Sequence, residues 1–225
     1  MLERLRGLSA VFAIDLCAYV LYVDAARARR WTLQEVVSRW TRLFKAPVLI
    51  ERWQRAECGE AEVTMALAII ECWRQRLFDV SWYMRTLNEH LARRAHAEDD
   101  CTGRFWEGRF KSQALLDEAG LLTAMAYVDL NPIRAGIAGT PEESTFTSLY
   151  ARIEALQAPK THAPRSHQPV AVPLLPFRGV DSSIEPAIPF TQHDYLTPSS
   201  TGAVGLCAAT SAARSLRISR PSCGA

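Results

Sequence analysis

Apolar and polar positions along this chain follow two rhythms. From Val11 to Val23 the run Val-Phe-Ala-Ile-Asp-Leu-Cys-Ala-Tyr-Val-Leu-Tyr-Val is rich in β-branched and aromatic residues, the composition of a strand. It holds no Gly, Pro or Asn to turn it into a hairpin, so one unbroken strand is expected. Before it, Met1 to Ser9 alternates Leu with Arg and reads as a fragment of helix. Beyond residue 30 a helical period takes over and predicts four helices. The first is capped by Thr32, with Glu35 at capping-box spacing, and carries the stripe Val36, Val37, Trp40, Leu43 and Phe44. The second spans 60–79 on Val63, Leu67, Ile70, Trp73 and Leu77. The third runs from Ser81 to His96 and buries Met84, Leu87 and Leu91. The fourth opens at Asp117 and ends at Asn131-Pro132, because a residue before proline is pushed out of the α region. Residues 104–116, between the third and fourth helices, read as two short extended pieces around Gly108.

The rhythm stops near residue 157. Prolines at 159, 164, 169, 173, 176, 186 and 189 predict a stiff, extended linker, and the Ser-, Ala- and Gly-rich stretch from Thr197 predicts disorder. Two regions follow: 1–157 as the folded domain and 158–225 as linker and tail. No internal repeat is visible. Net charge adds little, since residues 1–160 balance to zero and residues 161–225 carry +2. A nucleic-acid reading must therefore rest on local clusters. The six cysteines, at 17, 58, 72, 101, 207 and 223, form no CxxC pair and read as free thiols. No signal peptide or membrane-spanning run is evident, which predicts a cytoplasmic protein with no membrane partner.

Three basic clusters are candidates for contact with a phosphate backbone. Residues 27–45 carry Arg27, Arg29, Arg30, Arg39, Arg42 and Lys45 against the single acid Glu35. The third helix sets Arg85, Glu89 and Arg93 on one face with Arg94 beside them. Both patterns serve equally well as solvated helix faces. Residues 104–111 differ, because Arg104, Arg109 and Lys111 are interleaved with Phe105, Trp106 and Phe110. Basic groups attract phosphates and aromatic rings stack on unpaired bases, so a ligand contact is favoured there. In the fourth helix Tyr127 and Asn131 stand four residues apart on one face with the small residues Gly120, Thr123 and Ala124, while Leu121, Met125 and Val128 form an apolar face opposite. A tyrosine and an amide over small residues suit a cleft; the same spacing also suits a half-buried structural tyrosine.

The segment Arg104-Phe-Trp-Glu-Gly-Arg-Phe-Lys-Ser, followed by Ala126-Tyr-Val-Asp-Leu-Asn-Pro-Ile-Arg-Ala-Gly136 and Phe146-Thr-Ser148, resembles the REP-associated type of the single-tyrosine HUH transposases. The resemblance spans residues 1–155, and its motifs come in the family's order. Ser81 to Ala97 resembles the helix that precedes the first motif. Ile188-Pro-Phe190 and Asp194-Tyr-Leu196 resemble the C-terminal extension of a longer subgroup. The resemblance implies an α+β, ferredoxin-like fold, an antiparallel sheet backed by helices. It implies recognition of single-stranded or hairpin-forming DNA and cleavage through a 5′-phosphotyrosine intermediate. Tyr127 stands where the family has its nucleophile, and Asn131 where an amide helps hold a divalent Mg²⁺ or Mn²⁺. A phenol with a pKa near 10 is a weak nucleophile at neutral pH, and the metal offsets charge developing on the scissile phosphate. The DNA contacts then fall to Arg104, Phe105, Trp106, Arg109 and Lys111, joined by Arg85 and Arg93.

The chain departs from that pattern at the metal site. The family carries His-x-His on a strand, where this sequence reads Cys17-Ala-Tyr-Val-Leu-Tyr-Val-Asp24. The hairpin turn and both imidazoles look excised, and the family's first strand has no counterpart. The five histidines lie elsewhere, at 90, 96, 162, 167 and 193. With a tail unlike the family's, the pattern is that of a degraded transposase: a remnant sheet, no bound metal and no cleavage. The alternative is a non-catalytic protein, derived from a transposase, that still binds DNA hairpins.

Overall fold

The computed structural model describes residues 2–18, 20–157, 174–179, 186–192 and 195. The predictions for His162, His167, His193, Cys207, Cys223 and the stretch from Thr197 fall outside these residues. The described architecture is mixed: helices with one small two-stranded antiparallel sheet. A larger ferredoxin-like sheet is not found among the described residues. None of the helices is long and apolar enough to cross a membrane.

The opening helix α1 (Leu2–Val11) agrees with the sequence pattern. The single strand expected from Val11 to Val23 does not. The chain forms β1 (Ile14–Leu16), turns, and returns as β2 (Leu21–Val23). Asp24 N–H donates to the Ala13 carbonyl and Cys17 N–H to the Val20 carbonyl, both at 2.9 Å, which fixes Ala13 opposite Asp24 and Cys17 opposite Val20. The run is therefore a short hairpin and not one unbroken strand. Turn propensity is a bias that packing overrides: Leu16, Cys17 and Ala18 are all buried, and an extended continuation would expose that apolar surface.

The described chain divides into two compact units. Of the described residues, the first comprises 2–15 and 21–112. It contains α1, α2 (Ala25–Arg30), α3 (Leu33–Thr41), α4 (Val48–Gln54), α5 (Glu60–Arg76) and α6 (Val80–Glu98). Helices α2 and α4 had no forecast from the pattern, since each is two turns or less and too short to show a period. At α3 the Thr32 hydroxyl accepts from Glu35 N–H at 3.1 Å. The return half of the capping box is not made, because the Glu35 carboxylate pairs with Arg39 at 2.9 Å instead. Val36, Val37 and Trp40 are buried, and the Trp40 and Trp73 rings stack 5.0 Å apart, joining α3 to α5. Leu67, assigned to the buried stripe of α5, is exposed, and the inward positions belong to Ala66, Ile70, Trp73 and Arg74. Arg74 reaches the interior because its guanidinium donates to the Ala28 carbonyl (2.9 Å) and the Trp31 carbonyl (2.6 Å). In α6 the buried residues are Tyr83, Thr86 and Leu87, and Met84 and Leu91 are only partly covered. Burial drives the Tyr83 phenol up to about 12. The Ser9 hydroxyl neighbours it, but the two do not reach hydrogen-bonding geometry.

Of the described residues, the second unit comprises 16–18, 20, 113–157, 174–179, 186–192 and 195. It holds α7 (Glu118–Asp129), α8 (Asn131–Arg134), a 3-10 turn (Pro141–Glu143) and α9 (Ser148–Gln157). Its apolar core gathers Cys17, Ala18, Met125, Ala126, Leu149, Leu175, Ile188 and Tyr195. The last three belong to the proline-rich region read as a linker. There Leu175 N–H donates to the Leu16 carbonyl at 2.7 Å, and residues 174 and 188 make parallel bridges with Leu16 and Phe177. Proline spacing is compatible with a stiff free linker and equally with a strap packed on a core; the interleaved Leu, Phe and Ile are what such a strap buries.

Candidate functional site

Each unit carries one group of candidate residues. In the second unit α7 is capped by Asp117, which accepts from Gly120 N–H at 2.6 Å. Gly120 suits this position, since a Cβ there would come within 2.9 Å of the Asp117 Oδ1. Helix α7 stops at Asp129 and α8 begins two residues later. The helical path is nearly continuous, because Leu130 N–H still reaches the Ala126 carbonyl (3.0 Å) and Arg134 N–H the Leu130 carbonyl (3.0 Å). Tyr127 and Asn131 therefore face one way. Tyr127 is 49% exposed, Asn131 is exposed, and Met125 with Ala126 takes the buried face. The Arg134 guanidinium lies 5.0 Å from the centre of the Tyr127 ring.

Between these residues lies a group that the sequence reading passed over. Asp129 is fully buried. Its carboxylate accepts from Ser148 N–H (2.9 Å), from the Ser148 hydroxyl (2.7 Å) and from the Tyr195 hydroxyl (2.7 Å). Arg152, also buried, donates to the Cys17 and Leu175 carbonyls at 2.9 Å each, and its guanidinium lies 4.3 Å from the Phe177 ring centre. Burial lowers the Arg152 pKa against the opposing charge of Asp129. Burial, then the Asp129 charge and its hydrogen bond, raise the Tyr195 phenol well above the usual tyrosine value. A buried carboxylate with three donors is a structural tie. The signal that could have found it was present: Asp129 occupies the inward side of a helix whose Tyr127 and Asn131 face out.

In the first unit residues 101–112 form no paired strand. The stretch around Gly108, expected as two short extended pieces, lies at the surface and pairs with no strand among the described residues. The loop is held against α6 where the Trp106 indole N–H donates to the Asn88 carbonyl at 3.1 Å. Arg104 Nε donates to the Trp106 carbonyl at 2.9 Å, and Phe105 stands edge-on to Trp106 and to His96. Phe105 is 44% and Trp106 41% exposed. Among the described residues Arg109 and Lys111 have no ion pair.

The other basic clusters are partly engaged within the protein. Arg27 pairs with Asp15 at 3.0 Å, and Arg39 lies over Trp31 as well as pairing with Glu35. On α6, Arg93 pairs with Glu89, Arg94 pairs with Glu98, and Arg85 lies 5.2 Å from the Trp82 ring centre. The structure thus brings Tyr127 and Asn131 together in one unit and Arg104, Phe105 and Trp106 together in the other.

The divalent cation implied by the family resemblance does not fit what is present. Asn131 offers one amide oxygen, and among the described residues no three His, Cys, Asp or Glu side chains stand close enough to hold a metal ion. Asp129, the nearest carboxylate in sequence, is committed to Ser148 and Tyr195. Compared with protein-family profiles, curated proteins and solved structures, the chain finds no match.

Proposed function

We propose that this chain descends from the single-tyrosine HUH transposases and binds single-stranded, hairpin-forming DNA without cutting it. The observation that carries the reading is the loop at residues 104–111. Two aromatic rings and three basic side chains are held at the surface there by a hydrogen bond from Trp106 to α6. Exposed rings cost solvation unless a partner covers them, and unpaired bases are partners with flat apolar faces. Arg109 and Lys111 add the charge that a phosphate backbone attracts. Arg85 and Arg93 are nearby in sequence on α6 but partly engaged, and they serve as secondary contacts.

Cleavage would require Tyr127 to attack a phosphodiester, displacing the 3′ oxygen and leaving the 5′ phosphate on tyrosine. That step needs a cation to offset charge on the phosphate, and the residues around Asn131 do not supply its ligands. The full transposase reading is the alternative, and one experiment separates the two. The protein is incubated with a labelled hairpin oligonucleotide and Mg²⁺ or Mn²⁺, then denatured and resolved on a gel. The expected result is a shifted complex under native conditions and no covalent adduct after denaturation. An adduct abolished by Tyr127→Phe establishes the transposase; no complex at all removes the DNA reading.

A further inference from the structure

We propose that one water molecule is held between α1 and α6, hydrogen-bonded to the hydroxyls of both Ser9 and Tyr83. The site belongs to the first unit and holds whether or not the chain binds DNA. Helices α1 and α6 pack together, and Tyr83 is fully buried on the α6 side, its ring edge-on to Phe12 of α1 at 5.4 Å between centres. The Tyr83 phenol oxygen and the Ser9 Oγ are both shut off from solvent, and neither has a hydrogen-bond partner among the described residues. The two hydroxyls are neighbours that do not align with each other. The buried side chains within a turn of them offer no substitute. Leu5, Leu8 and Phe12 on α1 and Leu87 on α6 are apolar, and the Thr86 hydroxyl is committed to the Trp82 carbonyl at 2.7 Å.

The chemistry matches one kind of ligand. A hydroxyl taken out of solvent must recover a hydrogen bond, or its desolvation stays uncompensated. Two such hydroxyls side by side double the penalty, and each can both donate and accept. A direct bond between them is missed in this geometry. A water donates and accepts in tetrahedral directions, so it serves two oxygens that do not point at each other. The partners are neutral and the place is closed to bulk solvent, which excludes an ion and favours a single buried water between polar groups. The bridge also has a mechanical consequence. Apolar contacts such as Phe12 on Tyr83 are non-directional, whereas a hydrogen-bonded bridge fixes the register of α1 against α6.

The test counts long-lived waters in the full chain by magnetic relaxation dispersion of the water oxygen. The parent should hold one more such water than the double variant Ser9→Ala, Tyr83→Phe, which removes both hydroxyls and little else. Equal counts overturn the proposal, because the hydroxyls then bond each other or stay dry. Should the double variant fail to fold, Ser9→Ala alone, which takes one oxygen from a half-buried side chain, is expected to lose the same water. Melting temperatures give a second reading. Either single substitution strands the remaining hydroxyl, so the drop in the double variant should be smaller than the sum of the two single drops. Additive drops overturn the proposal, since the two hydroxyls would then share no partner. A crystal structure of the parent should place a water oxygen about 2.5–3.0 Å from both hydroxyl oxygens. Direct contact between the two hydroxyls in that range would overturn it.

Discussion

Two parts of this molecule handle polar side chains in opposite ways. Around Asp129 the polar groups are buried and nearly every one is matched: a carboxylate with three donors, and a guanidinium with two carbonyls and an aromatic ring. Along residues 104–111 Phe105, Trp106 and the basic groups are exposed, and Arg109 and Lys111 have no ion pair among the described residues. Matched buried groups hold a fold together, and an unmatched one there is costly. Unmatched exposed groups contribute little to stability and are free to meet a ligand. The contrast separates residues that hold the fold together from residues whose loss the fold should tolerate.

The largest effect should come from breaking the buried side of that contrast. Asp129→Ala leaves two hydroxyls and an amide without an acceptor and Arg152 without its opposing charge. The expected loss is about 3–5 kcal/mol, read from urea unfolding. A loss under about 1 kcal/mol would mean that water replaces the carboxylate freely.

Tyr195→Phe removes one hydrogen bond to a charged acceptor and should cost about 1.5–3 kcal/mol near neutral pH. The same phenol sets an alkaline limit. Its folded pKa is raised, first by burial, and so is that of Tyr83, to about 12. Both phenols are neutral in folded and unfolded chains below about pH 10, and their contribution is then fully present. As pH rises past that value the unfolded phenols ionise first, so stability falls. Urea unfolding from pH 8 to 11 should show this decline, and the double variant Tyr195→Phe, Tyr83→Phe should flatten it. An equally steep decline in the double variant would place its cause elsewhere.

Much of the helical framework was legible from the sequence, and the reasons it failed elsewhere are specific. Helices α1, α3, α5, α6 and α7 are long enough to repeat an apolar stripe, and Thr32 and Asp117 mark two of their starts by capping. Helices α2 and α4 are too short to show a period. The hairpin at Cys17–Val20 escaped because its turn carries no glycine, proline or asparagine. Its position is fixed by burial of Leu16, Cys17 and Ala18, which depends on residues far along the chain. The exposed Tyr127–Asn131 face followed from helical spacing alone. The Asp129 network did not, since Ser148 lies 19 and Tyr195 66 residues away. Arg134 was visible only as part of a motif, and its stack on Tyr127 needed coordinates.

Breaking the exposed side should barely affect the fold. The triple variant Arg104→Ala, Arg109→Ala, Lys111→Ala should unfold within about 0.5 kcal/mol of the parent, because exposed substitutions disturb little packing. A larger loss would make the loop part of the core after all.

The central claim is that this loop contacts a phosphate backbone, and the salt dependence of hairpin binding tests it most directly. The affinity of the parent and of the triple variant for one labelled hairpin oligonucleotide would be measured from about 50 to 200 mM salt, a range over which phosphate contacts weaken steeply. The parent should show log affinity falling linearly with log salt. The triple variant should bind more weakly, with a slope shallower by about two to three, close to one per lost contact. Parallel lines with the same slope would contradict the account, because three basic residues would then have been removed without losing one phosphate contact.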